Sequence, residues 1–428
     1  MKTVFSSATR LKTQARLCAF LLVAFIAFGL TACQQGNESG VKRPSDEQIT
    51  SAVKTQLQGN DEIQNLSQAD IATRDGIVTF DGDTDNLLAK QLATQLAENV
   101  KGVRSVVNNL KITTTRPDSD IKTDVDEALS TDPATEDMKL NTSVDNGLVT
   151  IKGVSDSWQA SKLVEHIVKG VKGVQEVQNN LIVHFNADRL TRDIKSEVQH
   201  MLRWDARLDD AQINVNVTDD KVVKLSGKVG SAYQKDLAMQ VAHVRGVKDV
   251  QADELEVEPS ITSAMRRDIM AENINSGQIS SAIKDAMKYD PRVTAKNVQV
   301  EVEDGVVSLS GTVFNLNEKL AAGQDAKNTM GVKKLNNDIK VERRVVVRPK
   351  TPTTDQAITE RVKSIFSRDP YVSPAGMEVH VNDGVVTLSG TTQSNFLKKH
   401  YKELASNVKG VIAVQSDITV SSSESTNS

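Results

Sequence analysis

The sequence predicts an α+β fold: a tandem array of five small helix-strand-strand-helix-strand domains, each a three-stranded sheet with two helices on one face. Three observations carry this: a pattern that recurs five times at intervals of about 70 residues, a turn dipeptide inside each copy, and a pair of glycines at nearly fixed spacing. A chain of 428 residues is too long for one ordinary core and long enough for several small ones. Aromatic residues make up 4% of it, which suits small domains with aliphatic cores.

Each copy opens on an amphipathic helix. Ser45 with Gln48, and Thr353 with Gln356, have the spacing of N-terminal capping boxes. Ile358, Val362 and Ile365 form one apolar stripe, and Pro133, Pro291 and Pro370 stand where such helices must stop. A hairpin follows. Residues 298–302 and 377–381 alternate at period two, and Asp75-Gly76, Asn146-Gly147, Asp304-Gly305 and Asp383-Gly384 are the two-residue turns in which both residues need positive φ. The run after each turn ends on a glycine: Gly82, Gly153, Gly227, Gly311 and Gly390. Repeat three has Lys221 where the others have the turn glycine. Lysine disfavours positive φ, so a different or longer turn is expected there.

The second helix is read from Leu92, Leu96 and Val100, and from Leu163, Ile167 and Val171, each recurring at four. A Gly-Val pair closes it. Gly102, Gly173, Gly246, Gly331 and Gly410 suit left-handed C-terminal caps, and they follow the hairpin glycine by 20 residues, or by 19 in repeat three. A last strand, such as 106–110 or 177–181, completes the unit.

The resulting layout is a leader at 1–32, a flexible tether at 33–44, and repeats at 45–115, 116–186, 187–258, 275–343 and 353–420. Residues 259–274 link repeats three and four, with room for a short extra helix. Residues 344–352, with Pro349 and Pro352, make a stiff linker, and 421–428 a Ser-rich disordered tail. The tether reaches at most about 40 Å at ~3.5 Å per residue.

The leader carries Lys2, Arg10, Lys12 and Arg16, then an apolar run shorter than the ~20 residues needed to span a bilayer. It reads as a secretory signal peptide. The exit Leu30-Thr31-Ala32-Cys33 resembles the bacterial lipobox, which implies that Cys33 is acylated as the first mature residue. The competing reading is an uncleaved anchor helix with an incidental cysteine. Gln34, in place of the aspartate that retains many lipoproteins at the inner membrane, implies the outer membrane, with the protein facing the periplasm. Multiple acyl chains make such attachment stable. Cys18 would leave with the leader, so the mature chain would hold no free thiol, disulfide or thiolate metal site. Removing the leader's four cations leaves 48 basic against 56 acidic residues, which argues against nucleic acid as a partner.

The repeat, through its hairpin glycine and its Gly-Val pair, resembles the BON domain family of envelope proteins. That resemblance implies phospholipid binding and membrane integrity under osmotic or other stress. No residue pattern announces catalysis. His166, His184, His200, His243, His380 and His400 lack metal-ligand spacing, and there is neither a nucleophile elbow nor a phosphate-binding glycine loop. No enzyme activity, cofactor or metal is expected.

Charge is uneven along the chain. Repeats one to three carry net −4, −5 and −3, residues 275–348 carry +3, and repeat five is neutral. The basic flank of repeat five (Lys398, Lys402 and Lys409, with Phe396) and the cluster Arg343, Arg344 and Arg348 are therefore the candidate contacts for anionic phospholipid. The alternative for that flank is an ordinary solvated helix face. Two functions remain open: phospholipid or membrane-surface binding that supports envelope integrity, and a periplasmic scaffold or holdase that binds other envelope proteins by strand addition.

Overall fold

The structure is a computed structural model that describes residues 44–60, 63, 66, 69–183, 189–208, 211–258, 274–342 and 354–421. The leader, Cys33, the tether to 43, the linkers at 259–273 and 344–352, and the tail from 422 lie outside the described residues.

Repeat one comprises α1 (Asp46–Gln58), β1 (Asp70–Arg74), β2 (Ile77–Asp81), β3 (Asp83–Thr84), α2 (Leu87–Glu98), β4 (Ser105–Asn108) and β5 (Lys111–Ile112). Repeat two has α3 (Asp118–Thr131), β6 (Leu140–Asp145), β7 (Leu148–Ser155), α4 (Trp158–Lys169) and β8 (Glu176–Val183). Repeat three has α5 (Thr191–Trp204), β9 (Gln212–Val217), β10 (Val222–Val229), α6 (Ala232–Val241) and β11 (Asp249–Val257). Repeat four has α7 (Ser276–Tyr289), β12 (Val298–Glu303), β13 (Val306–Val313), α8 (Leu316–Lys327), β14 (Lys334–Asn337) and β15 (Lys340–Val341). Repeat five has α9 (Asp355–Arg368), β16 (Met377–Asn382), β17 (Val385–Thr392), α10 (Asn395–Ser406) and β18 (Ala413–Val420).

The expected α+β array is present. In every repeat the second hairpin strand is central, antiparallel to the first and parallel to the last, as in β6-β7-β8. The parallel pairing follows from the helix between the second and third strands, which returns the chain to the same end of the sheet. Each repeat has its own aliphatic core between sheet and helices, for example Ile121, Val125, Val149, Ile151, Val164 and Val168 in repeat two.

The two-residue turns are as expected: Asp75, Asn146, Asp304 and Asp383 have φ of 49–51°, and the glycine after each is also positive. The turn of repeat three is longer, four residues from Thr218 to Lys221, closed by Lys221 N–H donating to Thr218 O at 2.9 Å. Lys221 nonetheless adopts φ 64°.

Several expectations need correction. In repeat one Gly82 ends β2 as expected, but in repeats two to five the hairpin glycine does not end the strand. Gly227 and Gly311 lie inside β10 and β13, and a Cβ there would stand 2.0 Å from Gln212 O and 2.2 Å from Asn297 O. Glycine is required by this close backbone approach at positive φ, and the strand runs on past it. The Gly-Val glycines are left-handed, Gly102 at φ 101° and Gly410 at 94°, but they lie three residues beyond the helix's terminal cap residue (Asn99 and Asn407) rather than next to it.

The buried faces of α2 and α4 are offset by one residue from their larger apolar side chains. In α2 the core takes Ala89, Ala93 and Ala97, while Leu92 and Leu96 pack at its margin. In α4 it takes Val164 and Val168 rather than Leu163 and Ile167, and in α9 Phe366 rather than Ile365. The small face of α2 lets helix and sheet approach closely. The capping box of repeat one is formed as expected. In repeat five the cap is Thr354 rather than Thr353, and Gln356 turns to Glu360 instead. A further box, Asn275 with Gln278, opens α7.

Candidate functional site

At one end of the sheet the start of the first helix grips the hairpin turn. The Asp46 carboxylate accepts from Asp75 N–H at 2.8 Å and Gly76 N–H at 2.9 Å. Asp118 does the same for Asn146 and Gly147, and Asp355 for Asp383 and Gly384. Repeat three has Thr191 at this position, whose hydroxyl accepts from the Lys221 ammonium at 3.3 Å, so clamp and turn residue differ together. A second recurrent tie fastens the last strand to the second helix. Asn108 donates to Lys90 O and Thr94 Oγ1, Asn179 to Ser161 O and Oγ, and Asn337 to Lys319 O, all at 2.8–3.0 Å. These clamps were missed in the sequence, although an aspartate directly after the cap in three repeats signalled one of them.

The basic flank of repeat five is largely spoken for. The Lys398 ammonium donates to Ile418 O at 2.7 Å, bridging α10 to β18. Lys90 makes the same bond to Leu110 O in repeat one. Lysine recurs at this position, four residues after the second helix's N-cap, as Lys90, Lys235, Lys319 and Lys398, which marks it as structural. Lys409 lies beyond the end of α10, not on its flank, and holds both oxygens of Glu136 in repeat two at 2.7 Å. Phe396 is half-buried, stacked on His400 at 5.3 Å and edge-on to Tyr371. Lys402 is exposed. Arg343, Arg344 and Arg348 lie outside the described residues.

Helices bind the repeats to one another. The α3 face of repeat two meets α9 of repeat five, where buried Arg368 pairs with Glu127 at 3.1 Å and reaches Thr131 Oγ1, and Lys172 N–H donates to Arg368 O at 2.7 Å. Trp158 on α4 stacks on His243 after α6 with ring centroids 4.1 Å apart. Trp204 packs into the core of repeat four, and Leu316 against that of repeat five.

Carboxylates also meet at these junctions. Burial, with the like charge of Asp236 nearby, pushes the Glu98 carboxyl up to about 7 where α2 packs on α6. Burial and the neighbouring Asp290 push Asp325 up to about 8, against the opposing pull of Arg292 and Arg207, which are themselves held bidentately by Asp290 and Asp205.

The sheets, by contrast, pair only within their own repeat among the described residues, apart from one bridge between Asp205 and Thr329. First and last strands are therefore hydrogen-bonded on one side only. The last-strand edge β11 borders a cleft of about 790 Å³ whose opposite wall is the start of α1 and the β1–β2 turn of repeat one. Val154 and Ile182, side by side on β7 and β8, are exposed apolar residues on the outer face of sheet two. Among the described residues no helix is long and apolar enough to cross a membrane, and no group of three His, Cys, Asp or Glu could hold a metal.

Fold and surfaces define a multi-repeat α+β protein with exposed sheet edges. The chain belongs to the BON domain family, whose model matches residues 45–114, 117–184, 191–259, 275–343 and 354–422. A curated relative, Osmotically-inducible protein Y of Escherichia coli (strain K12), is 37% identical over 126 residues, 29% of this chain and 60% of that protein. Among solved structures, the C-terminal domain of CdsD from the Type III secretion system of Chlamydia trachomatis is 13% identical, with 55% of this chain and 100% of that one covered at a TM-score of 0.14. The PrgH periplasmic domain is 11% identical, with 50% and 96% covered at 0.14.

Proposed function

We infer that this chain is a non-enzymatic envelope protein that holds other proteins at its exposed sheet edges under osmotic or related stress. The observation that carries this is the division of labour in the structure: helix faces are consumed in joining the repeats, while the sheet edges stay unpaired among the described residues. An unpaired edge presents a row of backbone donors and acceptors that an extended chain can complete. Five tethered repeats would raise one another's effective concentration for such a client. Similarity to an osmotically inducible protein supports the stress context, and the lipobox at Cys33 supports an outer-membrane anchor facing the periplasm.

Contact with anionic phospholipid is the second reading. It is favoured by the exposed Lys402 and by Phe314 and Leu320, which stand 40% and 49% exposed on repeat four. Binding there would support membrane integrity directly. It is ranked second because Lys398 and Lys409 are occupied within the protein.

The test is suppression of aggregation of a chemically denatured client by the chain from Gln34 onward, at low and high salt. Suppression at near-stoichiometric ratio that survives high salt supports edge binding. No suppression, together with flotation on anionic vesicles that falls with salt and with Lys402→Glu, would replace it with the lipid function.

A further inference from the structure

We propose that the cleft between repeats one and three is a docking groove for an extended, cationic polypeptide segment, which adds as a fourth strand to the free edge of β11. The proposal rests on edge binding as the mode of action and names its site and the chemistry of its client.

Three observations converge on β11. At nine residues it is the longest strand among the described residues, so it offers the longest row of unpaired backbone groups. Among the described residues it is hydrogen-bonded on one side only, to β10, in parallel register from Val222–Asp249 to Lys224–Gln251 and, past a bulge at Ala252 and Asp253, from Ser226–Glu254 to Val229–Val257. Its second half, from Asp253 onward, also forms one wall of the 790 Å³ cleft, so a chain laid along that edge would be walled on two sides and open to solvent on the rest. A second wall matters because an added strand on a fully open edge gains backbone bonds while both partners remain in competition with water.

Charge selects the occupant. Asp253, Glu254 and Glu256 are exposed on β11, and Asp75 and Asp46 stand on the opposite wall. Asp46 is committed to the hairpin amides. Arg104 and Lys235 also line the cleft, and Lys228 of β10 lies in register with Glu256, so the acidic excess is centred on Asp253 and Asp75. Leu255 between them faces the core, which leaves the carboxylates as the side chains that a client meets. A segment with lysine or arginine at alternate positions would place its cations against these acids while its backbone pairs with β11. An acidic segment would be repelled.

The experiment uses the chain from Gln34 to Ser428, which holds the whole compact unit beginning at Lys42. The probe is a fluorescent, end-blocked octapeptide alternating lysine and valine, followed by anisotropy. Comparators are the same peptide with glutamate for lysine and the same peptide with alternate backbone amides N-methylated. The expected result is binding of the lysine peptide, at least tenfold weaker binding of both comparators, and at least tenfold weaker binding by Asp253→Lys/Glu256→Lys. Glu176→Lys on the β8 edge should change it less than twofold. Both substituted positions are exposed, and unchanged circular dichroism and Tm confirm that the variants fold. N-methylation alters only the peptide, so it tests strand addition without touching the protein. Equal binding of the N-methylated peptide, indifference to the double reversal, or no binding of the lysine peptide would overturn the proposal. If client aggregation is still suppressed in those cases, edge binding survives at other strands; if suppression is lost as well, both fall.

Discussion

Replacing Asp355 by alanine removes the clamp that ties α9 to the hairpin of repeat five. Its carboxylate accepts from Asp383 N–H at 2.7 Å and Gly384 N–H at 3.0 Å. Hydrogen bonds to a charged group contribute about 1.5–3 kcal/mol each when protected. One of these donors is exposed and the other part-buried, so water recovers much of that, and about 1 kcal/mol each is the appropriate scale. An acid in the first turn of a helix adds roughly 0.3–1 kcal/mol. The expected loss is therefore about 2.5 kcal/mol, or a factor of about 70 in the local equilibrium. Asparagine, with a single acceptor oxygen, should recover about half. The assay is hydrogen exchange by mass spectrometry over the β16–β17 turn, alongside urea unfolding. Faster exchange at Asp383 and Gly384 with unchanged exchange in the homologous turn of repeat two is the expected result. A loss below about 0.3 kcal/mol, or acceleration spread evenly over all five hairpins, would refute the clamp.

Four further outcomes follow from the packing. The folded Glu98 carboxyl sits near 7, above its ordinary value of 4.5, so its ionisation penalises the fold; stability at this junction is present below about pH 4.5, falls as pH rises towards 7, and is flat beyond. Discounted for partial exposure, Glu98→Gln should raise stability by roughly 1 kcal/mol at pH 8 and by little at pH 4, read from urea melts at both values. Arg368→Ala strips the buried partner of Glu127 and should cost about 3 kcal/mol, releasing repeat five from repeat two, while Lys409→Glu should cost about 1 kcal/mol and be rescued by Glu136→Lys; crosslinking between the two repeats reads both. Phe80→Ala empties the largest buried side chain of repeat one and should cost about 3–5 kcal/mol, seen as early melting of that repeat alone in exchange measurements.

What was legible in the sequence was local. Asp75-Gly76 and its counterparts announce a backbone conformation that few residues accept, and the two glycines per repeat fix where the chain must pass close to itself. Leu92 and Leu96 point to a face of α2 one residue from the buried one, because bulk dominates the apolar periodicity while the sheet accepts the small face of Ala89, Ala93 and Ala97. Lys398 looked like a free cation because its acceptor, Ile418 O, lies 20 residues away across the sheet. Lys409 and Glu136 are separated by 273 residues, and nothing in either segment names the other. The junctions that consume the helix flanks, and so leave the edges as the free surface, come from packing between repeats.

The most direct measurement is hydrogen exchange of the chain from Gln34 onward, alone, with a denatured client, and with anionic vesicles. Edge binding predicts that the client protects amides of the last strands, β11 foremost, and leaves α10 unchanged. Protection confined to α10 and to the segment 343–350, seen with vesicles and absent with client, would contradict it.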